Sequence, residues 1–167
     1  MGRIALSSAM MDSMYETALF LHILSAFIFF AGVAVAAIGV EVARRRRRPA
    51  EIAALLRVAR AGVPLVAVGV LSGLAFGLWL VDLSGRSLTE AWIALTLVLY
   101  LAAAVLGVLG GRRAKGARLL ATRLAYEREA SGDLQRLLDD RVARLLNYLA
   151  AVAVVAILAL MIWKPGE

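Results

Sequence analysis

His22 is the residue whose chemistry stands out, because it is the only histidine of the 167-residue chain and lies within a long apolar run. Ionisable side chains at membrane depth are costly and are therefore often functional. A neutral imidazole can ligate a haem iron or another metal, or it can relay protons. His22 is the candidate cofactor-binding residue, with haem b as the cofactor. The competing interpretation is a structural histidine that hydrogen-bonds to a hydroxyl such as that of Ser25 or Thr96.

A haem with two protein ligands would need a second axial side chain. The chain offers no second histidine and no cysteine, so a bis-histidine site would require another copy or a partner. Methionine is an alternative axial ligand, and it also binds Cu(I). Met10, Met11 and Met14 cluster just before the apolar run that holds His22, and Met161 lies near the end of the chain. The other interpretation of the methionine cluster is loose packing at a membrane interface.

The elements that would position His22 are four apolar runs. The chain is 62% hydrophobic, and a helix needs about 20 apolar residues to cross the hydrocarbon core. Runs of this length cover residues 17–43, 63–81, 91–111 and 145–163. They predict an all-α, four-helix transmembrane bundle that forms a single domain over residues 1–167. Residues 112–144 are predicted to form a cytoplasmic helical hairpin, with its turn at residues 130–132 and its second arm running directly into the fourth span.

The basic residues predict the orientation of the bundle, because short loops rich in Lys and Arg stay in the cytoplasm. Sixteen of the 19 Lys and Arg residues fall in the first and third connections. Both termini are therefore expected outside, in a multi-pass protein of the bacterial inner (plasma) membrane. The arginines between apolar runs favour contact with anionic headgroups at the cytoplasmic face and argue against a nucleic-acid partner. The candidate membrane-surface residues are Arg44, Arg45, Arg46, Arg47, Arg48, Arg112 and Arg113.

Small residues predict how the helices pack, since helices in lipid associate by close backbone approach. One stripe recurs every four residues in the second span and another does so in the third. We expect the two stripes to face each other inside the bundle; a pore-lining or dimerisation role is the alternative. The candidate packing residues are Gly69, Gly73, Gly77, Ala103, Gly107 and Gly111.

Two functional hypotheses remain open at this stage. The first is a small haem- or metal-binding membrane protein in a redox or accessory role, based on His22. The second is a structural or accessory subunit of a membrane complex, or a homo-oligomeric transporter, with no cofactor. The sequence has no phosphate-binding glycine loop, no histidines paired at metal spacing and no nucleophile elbow, which lowers the expectation of an enzyme.

Several short motifs are distinctive: Leu21-His22-Ile23-Leu24-Ser25-Ala26, Ala31-Gly32, Trp92, Arg112-Arg113 and Leu160-Met161-Ile162-Trp163-Lys164-Pro165-Gly166. Together they resemble a bacterial family of predicted integral membrane proteins that is known only as a domain of unknown function. The first helix also looks like that of copper-resistance D-type proteins and of small membrane proteins linked to protoporphyrinogen oxidation. That second resemblance implies a membrane histidine associated with haem or metal, at His22 here.

Single cysteines at Ser84 and Ala130 will test the orientation, because the natural chain has no cysteine. In intact cells we expect a membrane-impermeant maleimide to label Ser84→Cys and to spare Ala130→Cys until the membrane is opened. Labelling of Ala130→Cys from outside would overturn the predicted orientation.

Overall fold

The computed structural model describes residues 2–127 and 132–165, and this part of the chain is helical. The helices are α1 (Gly2–Arg44), α2 (Pro49–Leu83), α3 (Ala91–Glu127), α4 (Gly132–Leu138) and α5 (Arg141–Trp163). By length and composition, four helices can cross a membrane: α1, α2, α3, and α5 together with the residues just before it. The predicted all-α architecture with four spanning helices is confirmed. Its orientation remains a prediction.

Most apolar side chains of the four long helices face outward. Phe27, Leu71, Val98 and Val155 expose 70%, 69%, 61% and 65% of their surface. In water, apolar surface of this kind costs about 25 cal/mol per Å². In hydrocarbon it costs nothing, so the outward apolar faces are consistent with lipid as the surrounding solvent.

The helices extend well beyond the predicted spans. α1 has 43 residues, which at about 1.5 Å per residue corresponds to about 65 Å, whereas a hydrocarbon core is about 30 Å thick. α2 begins at Pro49, where the missing N–H of proline at the first helical position leaves no bond unmade. The charged ends remain helical because Ala, Arg, Leu and Glu all favour a helix.

The connection over residues 112–144 contains the end of α3 and all of α4. α3 continues without a break to Glu127, so the first arm is an extension of the third span. The prediction that the second arm runs directly into the fourth span is wrong, because α4 ends at Leu138 and α5 begins at Arg141. The Asp140 carboxylate caps α5 by accepting hydrogen bonds from the Val142 N–H (2.8 Å) and the Ala143 N–H (3.0 Å). The predicted turn at residues 130–132 falls largely outside the described residues.

Glycines bring the backbones of α1 and α2 into direct contact. A Cβ atom added at Gly32 would lie 2.6 Å from the Val66 nitrogen, and one added at Gly69 would lie 2.5 Å from the Phe29 nitrogen. A Cβ atom added at Gly62 would likewise meet the Gly32 carbonyl oxygen. We call this line of contacts the α1–α2 seam. No side chain fits between the helices there.

The seam corrects the predicted pairing of the two small-residue stripes. Gly69 and Gly77 turn towards α1, where they meet Phe29 and His22, and Gly73 lies between Ser25 of α1 and the Tyr100 hydroxyl of α3. The expectation that this stripe faces the small-residue stripe of the third span is therefore wrong. Sequence spacing places small residues on one face of a helix, but it does not say which neighbour that face meets.

The third-span stripe has a different environment. Gly107 and Gly111 are exposed, and a Cβ added at either would meet no described atom within 4 Å. Ala103 is half-buried. The close contact of α3 with α5 is made instead by Gly110, which lies against Asn147.

The arginine-rich end of the molecule contains a compact apolar core. Arg44 joins this core to α4 by donating from Nε to the Leu138 carbonyl oxygen at 2.7 Å. The end of α1, the start of α2, the end of α3 and α4 all contribute to it, so that this end packs as a water-soluble domain does. Its buried residues are Ala43, Ile52, Ala53, Leu56, Ala117, Ala121, Leu124, Leu134 and Leu138.

At the opposite end, which we call the Trp92 end, Glu90 organises the loop between α2 and α3. Its carboxylate accepts hydrogen bonds from Arg86 (3.2 Å), the Ser87 N–H (3.1 Å) and the Trp92 indole N–H (3.1 Å). Arg86 and Lys164 lie over the Trp92 ring, 5.6 and 5.9 Å from its centroid. Desolvation acts to raise the pKa of Glu90, but the Ser87, Arg86 and Trp92 contacts together hold that pKa below its ordinary value of 4.5.

Gly69→Ala should destabilise the protein, because the added methyl group would overlap the Phe29 backbone. Overpacking of this kind costs about 1–3 kcal/mol, which exceeds the gain of about 1 kcal/mol that alanine brings to a helix. Gly107→Ala is the matched control and should be neutral or stabilising. Thermal unfolding in detergent, followed by circular dichroism, measures both; equal stability of the two variants would contradict the α1–α2 seam.

The Glu90 network predicts a pH dependence of stability. Because the pKa of Glu90 is lower in the folded protein than in the unfolded chain, its contribution is complete above pH of about 4.5 and is lost as the pH falls through the lowered pKa. Glu90→Gln should therefore lose less thermal stability than the parent between pH 5 and 3. Parallel pH profiles of the two proteins would argue against this role of Glu90.

Candidate functional site

His22 lies beyond the Gly69 end of the α1–α2 seam and hydrogen-bonds to the backbone of α2. Its Nδ1 atom is 3.0 Å from the Gly73 carbonyl oxygen. A carbonyl oxygen only accepts, so Nδ1 carries the proton. In the neutral ring, the lone pair of the imidazole is then on Nε2, which makes no hydrogen bond to a described residue.

Gly77 leaves room for the His22 ring in this position because it has no side chain. A Cβ atom added at Gly77 would lie 3.1 Å from Cε1 and 3.3 Å from Nδ1 of His22. These distances are tighter than ordinary contacts, so the ring rests on bare backbone one turn beyond Gly73. The stripe that was predicted for helix packing thus also provides a surface for the histidine ring.

The prediction that His22 hydrogen-bonds to the hydroxyl of Ser25 or Thr96 is wrong. Ser25 is buried, but its Oγ donates to the Leu21 carbonyl of its own helix at 2.7 Å. Thr96 is also buried, with 7% of its surface exposed, and its Oγ1 has no hydrogen-bond partner among the described residues. The partner is a backbone carbonyl instead, because the close approach of α1 and α2 brings the Gly73 carbonyl oxygen within hydrogen-bonding distance of His22.

Tyr100 is a member of this site that the sequence analysis missed. Its hydroxyl donates to the Val70 carbonyl oxygen of α2 and lies beside Gly73. Thr96 precedes Tyr100 by one helical turn on the same face of α3. Because α2 and α3 run antiparallel, that turn places Thr96 close to the level of His22 and Gly77. The sequence signal that could have identified Tyr100 is its position in the middle of the apolar run 91–111, far from either end.

The methionine cluster of α1 lies well before His22 on the same helix. Met14 precedes His22 by eight residues on the continuous helix α1, a separation of about 12 Å along the axis. The hypothesis that Met14 and His22 of one chain bind the same metal ion is therefore wrong. Met161 lies on α5, which packs on α3. Among the described residues, no group of three or more His, Cys, Asp or Glu side chains is arranged to hold a metal ion.

The predicted membrane-surface arginines separate into two groups. In the turn between α1 and α2, Glu41 pairs with Arg44 (3.3 Å) and Arg45 (3.0 Å). Glu51 lies 3.9 Å from Arg46 and 3.8 Å from Arg48, and Arg47 is exposed.

The second group lies on α3. Arg112 lines a groove between α3, α4 and α5. The side chain of Arg113 lies outside the described part of the chain.

The four long apolar helices and their outward apolar faces define an integral membrane protein. The family of predicted integral membrane proteins DUF2269 matches residues 16–165, and the chain belongs to this family. The resemblance expected from the sequence motifs is thereby confirmed. Comparisons with curated proteins and with solved structures each gave no match. The first-helix likeness to copper-resistance D-type proteins remains a hypothesis.

Proposed function

We propose that this protein is a multi-pass protein of the bacterial plasma membrane that holds haem b through Nε2 of His22, in a redox or accessory role. Both termini would lie outside, with the arginine-rich end in the cytoplasm. The observation that carries the proposal is the hydrogen bond from His22 Nδ1 to the Gly73 carbonyl oxygen.

Histidines that bind metals commonly donate their other ring N–H to a carbonyl or carboxylate. Such a bond selects the tautomer with its lone pair on the ligating nitrogen, holds the ring in one orientation and makes that nitrogen more basic. His22 has this arrangement. The ring is half-buried, and its helical neighbours Leu19 and Ile23 are exposed, which provides apolar contacts for a macrocycle.

A haem suits a site with one protein ligand, since the porphyrin itself provides four nitrogens to the iron. When bound, it would supply one-electron redox chemistry. The Gly73 carbonyl would keep a proton on Nδ1, and the apolar faces of α1 and α2 would exclude water from the ring. A second axial ligand, where one is used, would come from another copy or from a membrane partner.

A cofactor-free accessory subunit, or an oligomeric transporter, is the second candidate. It is favoured by the exposed Gly107 and Gly111, where a Cβ would meet no described atom. Small residues on an open helix face permit close approach of another helix in lipid. In this case the His22–Gly73 bond would serve only to join α1 to α2.

Absorption spectra of the full chain will test the haem proposal. Protein purified in mild detergent and titrated with haemin should show a Soret band that saturates at one haem per chain, or at one haem per two chains where a second copy provides the other ligand. His22→Ala should lose the band, and Gly77→Ala should weaken or shift it, since the added methyl group displaces the ring. Ser25→Ala is the control and should bind haem as the parent does, because Ser25 bonds only within α1.

The same preparation separates the two candidates. A protein that takes up no haem, or whose band is unchanged in His22→Ala, would exclude the haem proposal. Light scattering on the purified protein gives its oligomeric state. A strictly monomeric protein with no copurifying partner would exclude the second candidate.

A further inference from the structure

A groove of about 420 Å³ opens where α3, α4 and α5 meet. α3 contributes Leu109, Arg112 and Gly116, and α5 contributes Val142 and Leu146. The volume lies within the range of about 300–1,000 Å³ that is typical of small-molecule sites. Arg112 is the one charged residue that lines the groove, and the other lining residues are apolar or glycine.

The groove lies at the boundary between the apolar and the charged parts of the helices. The apolar run of α3 ends at Gly111, immediately before Arg112, and that of α5 begins at Leu145. Leu109 and Leu146 therefore belong to the apolar runs, whereas Arg112 opens the charged stretch that follows the third run. A ligand that fills the groove therefore needs an apolar part next to Leu109 and Leu146 and an anionic part next to Arg112.

Arg112 makes no hydrogen bond or ion pair with a described residue. Lys115, three residues after Arg112, and Arg141, which precedes the groove residue Val142, are also exposed and have no described partner. Two carboxylates follow α4, those of Asp139 and Asp140. One oxygen of Asp140 accepts the Val142 and Ala143 N–H groups. The rim of the groove thus carries a cation with no described counter-ion.

We propose that this groove binds one anionic phospholipid, with the phosphate on Arg112 and an acyl chain along Leu109 and Leu146. Charge complementarity favours an anionic headgroup, and each Lys or Arg near a membrane surface attracts anionic lipid. The apolar walls favour a ligand that has an acyl chain, which inorganic phosphate lacks. This inference depends on the membrane assignment and is independent of haem binding at His22.

Native mass spectrometry of the full chain in detergent will test the site. The probes are phosphatidylglycerol, phosphatidylcholine with the same acyl chains, and inorganic phosphate. We expect one phosphatidylglycerol to be retained per chain, with phosphatidylcholine bound more weakly. Inorganic phosphate should not displace the lipid at equal concentration.

Two variants address the two halves of the site. Arg112→Gln should weaken phosphatidylglycerol binding about fivefold and leave phosphatidylcholine unchanged, since one surface cation contributes an effect of this size. Gly116→Leu should weaken both lipids, because a Cβ at Gly116 meets no described atom within 4 Å and the larger side chain enters the groove.

Matched controls exclude general effects of charge and volume. Arg60→Gln removes an exposed arginine of α2 that does not line the groove. Gly107→Leu adds the same side chain at another open glycine of α3. Both should bind lipid as the parent does.

Three results would overturn the proposal. One is equal loss of phosphatidylglycerol in Arg60→Gln and Arg112→Gln, which would indicate attraction to the whole basic surface. Another is equal affinity for the two lipids in the parent. The third is unchanged binding in Gly116→Leu with its helical content intact, which would place the lipid elsewhere.

Discussion

The close approach of α1 and α2 is the contact on which the other polar features depend. Lipid provides no hydrophobic force between helices, so they associate through packing and shared polar contacts. At Gly32, Gly62 and Gly69 the two backbones touch without intervening side chains. The same approach continues to Gly73 and Gly77, and it brings a backbone carbonyl within reach of His22. A side chain at Gly77 would press on the ring that makes this bond.

Backbone carbonyls of α2 serve as the acceptors for side chains of both neighbouring helices. Each carbonyl oxygen has two lone pairs, of which the helix uses one. His22 of α1 bonds to Gly73, and Tyr100 of α3 bonds to Val70. This arrangement satisfies polar groups in hydrocarbon without adding further polar side chains. It also leaves Nε2 of His22 and the hydroxyl of Thr96 as polar atoms with no described partner.

The sequence predicts the spans well because a run of about 20 apolar residues is stable in a membrane as a spanning helix. It predicts that Gly69, Gly73 and Gly77 share a face, since their spacing matches the helical repeat. It does not predict which helix that face meets, because the rotation of α2 depends on contacts with α1 and α3 together. The partner of His22 was missed for the same reason: a backbone carbonyl has no signature in the sequence. The break before α5 was readable, since Asp140 is a typical N-cap residue.

The break before α5 lies beside the groove. Arg44 and the apolar core hold the end of α4 at Leu138, and the Asp140 cap starts α5 at Arg141. Val142, Ala143 and Leu146 of the first turns of α5 line the groove, and Gly116 of α3 offers no side chain to fill it. The groove therefore lies where the protein passes from a water-soluble type of packing to a lipid-facing one.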